Sequence, residues 1–156
     1  MNEIEQMFYD AYIAHDKTWR VDSHIPLVTP DKLPLKPQYK IAGYIVDFLY
    51  EEKIDNTKDL FLRVAVEVDG QESHKTKAQR LDDYQRERFL QKNGIHIVRF
   101  TASEVYVDAE SCVCELEQIV HTLIRKVNSI IDYGMNLENE VLKDAGVLKK
   151  KEGITP

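Results

Sequence analysis

Apolar residues fall at helical spacing in the opening stretch "NEIEQMFYDAYIAH", where Ile4, Met7, Phe8, Ala11 and Tyr12 share a face and predict an amphipathic helix over residues 2–15. Pro26, Pro30, Pro34 and Pro37 then break the chain as far as Lys40, so this region reads as loops with at most one short strand. The pattern changes to β-branched and aromatic residues in "YKIAGYIVDFLYEE" and, after the polar turn "KIDNTKD", in "LFLRVAVEVDG". Residues 41–69 therefore read as two strands of an antiparallel hairpin. Period two puts Arg63, Ala65, Glu67 and Asp69 on one face and Val64, Val66 and Val68 on the other, so the valines suit a core while the carboxylates look elsewhere.

After Gly70, "KTKAQRLDDYQRERFLQKNG" reads as a long polar helix, with Leu81, Tyr84, Arg88, Phe89 and Leu90 on or near its buried stripe and a stop at Asn93 and Gly94. "IHIVRF" is a short strand, Thr101 or Ser103 in "TASEV" a helix cap, and "AESCVCELEQIVHTLIRKVNSII" a second long helix. The expected fold is α/β (α+β), a mixed β-sheet flanked by helices, in the order αβββαβα if a short first strand forms. Beyond Tyr133 a weak helix, "NLENEVLKDAG", precedes a frayed tail, "KKKEGITP".

The 156 residues, 43% of them hydrophobic, suffice for one domain with a genuine core, expected over residues 1–133, with 134–156 as weak helix and tail. No apolar run approaches the roughly 20 residues of a membrane span, and the acidic N-terminus is unlike a signal peptide, so a soluble, cytoplasmic protein is expected. Cys112 and Cys114, two apart on a helix, point to different faces and read as ordinary thiols. A formal net charge of −6 argues against a nonspecific nucleic-acid coat, yet it hides a local basic excess. From His74 to Lys92, six Lys and Arg face three acids.

Asp47, in "IVDF", lies on the strand opposite Glu67 and Asp69. Should the register bring the three together, their repulsion needs a cation to offset it. Mg2+, or Mn2+ in its place, takes oxygen ligands and keeps open positions for a phosphate oxygen and an attacking water, which is the chemistry of phosphodiester hydrolysis. The plainer alternative is a strand that runs into a glycine turn with solvated carboxylates.

The elements "YIVDF", "VAVEVDG" followed by His74, then Asp83, Arg86, Leu90 and Gly94, and finally "IVRFTASEV" stand in a characteristic order. From Gly43 to Val105 the chain resembles the restriction-endonuclease-like PD-(D/E)XK nuclease superfamily, and within it the branch related to very-short-patch-repair endonucleases. The resemblance implies Asp47 as the shared metal-ligating aspartate, Glu67 as the second acidic ligand and the Val68 carbonyl as a further one. It also implies an acidic residue of the first helix at the site, Glu5, with Glu3 as the alternative. The superfamily has lysine two residues after the glutamate, where Asp69 stands here, as in an "E-x-D-G" form of the branch. Asp69 then becomes an additional metal ligand, His74 orients water or contacts phosphate, and Lys75, Lys77 or Arg80 stabilises developing charge. Asp83 and Arg86, three apart on a helix, read as an ion pair, with Arg86 also in reach of a phosphate. Trp19 reads as core or loop packing.

Two functions follow. One is a Mg2+- or Mn2+-dependent endonuclease acting on DNA in preference to RNA. A chain this small would cut a duplex as a homodimer, nick one strand, or borrow specificity from a larger complex. The other is a catalytically inactive nuclease-fold binding module of a defence or mobile-element system, which the missing lysine and the acidic net charge favour.

Overall fold

The computed structural model describes residues 1–55, 60–69, 75–132 and 147–149. Helix α1 spans Glu3–Asp22, about two turns beyond the end expected from its apolar stripe. It starts at a reciprocal cap in which Asn2 Oδ1 accepts from Glu5 N at 2.9 Å and the Glu5 carboxylate accepts from Asn2 N at 3.0 Å. Strands β1 (Leu35–Ile41), β2 (Tyr44–Asp55) and β3 (Leu60–Asp69) form an antiparallel meander. The proline-rich region thus yields a strand of seven residues, with Pro37 tolerated because β1 lies at the sheet edge. What reads as one apolar run through "KIAGYI" is a tight hairpin: Ala42 and Gly43 both take positive φ, 46° and 92°, between the paired residues Ile41 and Tyr44.

Helix α2 (Lys77–Lys92) carries the chain to β4 (His96–Thr101), which lies parallel to β3 from Val64 to Asp69. Helix α3 follows over Ala102–Asp132, with a break at Asp108, whose φ of −158° and ψ of 83° are not helical. Both segments are capped. Thr101 Oγ1 accepts from Glu104 N at 3.2 Å, and Asp108 Oδ1 accepts from Ser111 N at 2.9 Å. A short strand β5, Val147–Lys149, pairs antiparallel with Leu60–Leu62 of β3, within residues 134–156 read from sequence as weak helix and tail. It lies where β4 has not yet begun to cover β3, whose open backbone groups need partners. The weak helix expected over "NLENEVLKDAG" lies outside the described residues.

The sheet is buried on both faces. Phe8 and Tyr12 of α1 and Val113, Leu116 and Val120 of α3 pack with Phe48, Leu62, Val64, Val66 and Val68 on one side. On the other, Leu90 of α2 meets Leu49, Ala65 and Ile95. The valine face of β3 is therefore the larger core, as the alternation predicts. Helix α2 departs from its expected stripe. Leu81 and Tyr84 are 53% and 56% exposed and Arg88 is exposed, while Asp83, Arg86, Glu87, Phe89 and Leu90 are half-buried or buried. The expected stripe holds at its C-terminal end, Phe89 and Leu90, and fails at Leu81, Tyr84 and Arg88, because the helix turns Arg86 to Glu67 of β3 and Glu87 to Arg99 of β4, where polar partners outweigh apolar burial. Trp19, expected in packing, is 51% exposed near the end of α1, its ring 6.0 Å from the Arg20 guanidinium.

Candidate active site

Pairing between β2 and β3 is recorded from Phe48–Val66 towards their far ends. Past it, Asp47 Oδ2 accepts from Val68 N–H at 2.8 Å, so a side-chain carboxylate takes the place of a main-chain acceptor. Burial pushes the Asp47 carboxyl above its usual range; the Val68 N–H opposes this, and the charge of Glu5 adds to it.

Glu67, one position before Val68 and on the opposite face, is 4% exposed. Arg86 Nη2 donates to its Oε2 at 2.9 Å, whereas Oε1 is buried with no hydrogen-bond partner among the described residues. Burial raises the Glu67 carboxyl to about 7, with Arg86 pulling it down and Asp47 pushing it up. An orphaned buried carboxylate oxygen is costly and marks a place for a cation or a proton.

Asp69 closes the strand between two cations. Its Oδ1 lies 3.9 Å from Lys75 Nζ and its Oδ2 3.8 Å from Arg99 Nε. Lys75 also donates to Asp83 Oδ2 at 2.8 Å, and this bond, with Asp69 adding, holds its ammonium above the usual lysine range. An ammonium group thus stands beside Asp69, two residues after Glu67. Arg99 reaches on to Glu87 at 3.1 Å. Arg86 has Glu67 as its nearest carboxylate, with Asp83 at 3.8 Å, so the helix ion pair read from spacing is the weaker of its two contacts.

Glu5, not the exposed Glu3, is the buried acid of α1, at 8% exposure. Gln38 Nε2 donates to Glu5 Oε2 at 3.0 Å, from a residue whose φ of 48° interrupts β1 opposite Asp47. Lys77 and Arg80 are exposed on the first turn of α2. His74 lies outside the described residues. Among the described residues, no three His, Cys, Asp or Glu side chains gather closely enough to hold a metal ion. The reason is local: Glu67 turns to Arg86, Asp69 to Lys75 and Arg99, and Asp47 to Val68.

Sequence reading missed Arg99 and Gln38. The strand "IHIVRF" contains Arg99, but its meeting with Asp69 depends on the parallel pairing of β3 and β4, which no local pattern encodes.

A family model, REase_MTES_1575, of restriction-endonuclease-like proteins, matches residues 27–120. The chain belongs to that family. The match covers β1 to β4, α2 and the first half of α3, so Asp47, Glu67, Asp69 and Arg86 lie inside it and Glu5 outside. A restriction-endonuclease-like family is a nuclease family, and the mixed sheet between helices fits its core. No curated protein and no solved structure gives a significant match. No described helix is long and apolar enough to cross a membrane.

Proposed function

We propose that the protein is a metal-dependent endonuclease that hydrolyses phosphodiester bonds of DNA, with Asp47 and Glu67 as the residues that hold Mg2+ or Mn2+. The observation that carries this reading is Glu67: buried, with one oxygen unpartnered and Asp47 close enough to raise its pKa. Two hard oxygen donors suit Mg2+, which completes its shell with waters. When bound, the ion supplies positive charge to the phosphate and activates the attacking water.

The chain's own residues do the rest. Lys75, held protonated by Asp83 and Asp69, provides the ammonium missing from the strand position and stabilises charge on the phosphate as water adds to phosphorus and the bond to the leaving oxygen breaks. Asp69, flanked by Lys75 and Arg99, acts as the residue that positions these cations, or as a third ligand if it turns inward. Arg86 holds Glu67 in place, and Glu5 adds negative charge behind Asp47. His74, proposed on sequence alone, orients the attacking water, and Lys77 with Arg80 faces the nucleic-acid backbone.

The test is cleavage of plasmid and oligonucleotide DNA by the purified protein with Mn2+. Activity that disappears in Asp47→Ala and Glu67→Ala supports the reading; intact DNA across supercoiled, linear and single-stranded substrates sinks it. The Arg86–Glu67 ion pair favours a second reading, a nuclease-fold binding module in which a guanidinium has taken the cation's place. That module would show no thermal stabilisation by Mn2+.

A further inference from the structure

An open pocket beside these residues is lined by Asp69, Lys75, Arg80, Asp83, Tyr84 and Arg99. Three cations against two carboxylates leave it one positive charge in excess. Both carboxylates are already engaged, Asp83 with Lys75 at 2.8 Å and Asp69 between Lys75 and Arg99. Arg80 differs: among the described residues it has no carboxylate partner, and its Nε and Nη2 reach only the Lys75 carbonyl, at 3.4 and 3.3 Å. One turn along α2, Tyr84 stands on the same side of the helix, lines the same pocket, and is 56% exposed. An uncompensated guanidinium and a bare aromatic ring therefore share the rim of a pocket whose wall is the end of β3.

We infer that this pocket seats an unpaired DNA nucleotide next to the scissile phosphate, with Arg80 on its phosphate and Tyr84 against the face of its base. A paired base keeps its faces inside the duplex stack, so a ring here can stack only on a base that is single-stranded or has been drawn out. The inference rests on the nuclease reading for its substrate and deepens it. The site favours single strands, frayed ends or distorted duplexes.

The test is fluorescence anisotropy of a labelled oligothymidylate of about 12 nucleotides, and of a duplex of equal length, in chelator so that no cleavage intervenes. Tyr84→Ala is expected to weaken single-strand binding about tenfold, since stacking on an aromatic ring is worth ~1–3 kcal/mol per base. Tyr84→Phe binds as wild type, and Arg80→Ala lowers the slope of log affinity against log salt by about 0.7. Because both residues are exposed, the variants keep the wild-type melting temperature. Equal single-strand affinity in Tyr84→Ala, an equal loss on duplex, an unchanged salt slope, or no single-strand binding by wild type overturns the inference. Calorimetry with Mn2+ separates the two ideas. Tyr84-dependent binding without Mn2+ uptake sinks the metal site and leaves the pocket, and Mn2+-dependent cleavage indifferent to Tyr84 does the reverse.

Discussion

Arg86 reaches from α2 to place Nη2 2.9 Å from Glu67 Oε2, and the other oxygen of that carboxylate is left buried without a partner. One carboxylate is thus half-satisfied. A guanidinium offsets its charge from the helix side, and Oε1 has capacity to spare. Removing the guanidinium should expose how much of the site depends on it.

Arg86→Ala leaves a buried carboxylate uncompensated and is expected to destabilise the metal-free protein by about 2–4 kcal/mol, less than the loss for a permanently charged partner because Glu67 can take up a proton. Chemical denaturation measures this, and Mn2+ is expected to raise the melting temperature more in the variant than in wild type. A variant as stable as wild type would mean that the pair contributes nothing.

The raised Glu67 carboxyl fixes a pH dependence. Between about 4.5 and 7 the folded chain keeps a proton that the unfolded chain has released, so metal-free stability falls as pH rises through that window and levels off above it. The Glu67 share is on the order of 3 kcal/mol. Denaturation midpoints across the window should show the slope in wild type and its loss in Glu67→Gln. Over the same range Mn2+ affinity should climb with pH, because the cation displaces the proton.

Different substitutions separate the metal-holding role proposed for Asp47 from its bond to Val68. Asn keeps an oxygen acceptor for the Val68 N–H and loses the charge, so Asp47→Asn should abolish cleavage with a near wild-type melting temperature. Ala loses both and strands a donor, at a cost of about 1–3 kcal/mol. Equal melting temperatures for the two variants would count against the bond.

Lys75→Ala is expected to slow Mn2+-dependent cleavage about 10²-fold, the usual effect of deleting one electrostatic stabiliser, and to change Mn2+ affinity by a few-fold at most. Single-turnover rates and calorimetry read the two quantities separately. A large loss of metal affinity with an unaltered rate would remove Lys75 from its proposed role.

Much of the frame is legible in the sequence. The valine alternation of β3 predicts its core face, Gly94 ends α2 where expected, and the motif order points to the family. The exceptions have physical causes. Pro37 makes β1 look like a loop because local propensity cannot show that the strand lies at an edge. Leu81 and Tyr84 look buried because α2 is read alone, while the side that faces the sheet is set by charged partners on β3. The Lys75–Asp69 and Arg99–Asp69 contacts are long-range, and the sequence offers only a run of basic residues near an acid. The mutual arrangement of Asp47, Glu67 and Asp69 depends on which neighbour each carboxylate turns to, and residue type alone does not decide that.

Strand β3 has one flank shared by two strands: Val147–Lys149 pair with Leu60–Leu62, and β4 takes over from Val64. A central strand completed in this way has no free N–H row there for another molecule to dock on. Deleting that short guard would turn the site's own scaffold into a template for chain exchange, and the first symptom would be self-association of an otherwise folded protein.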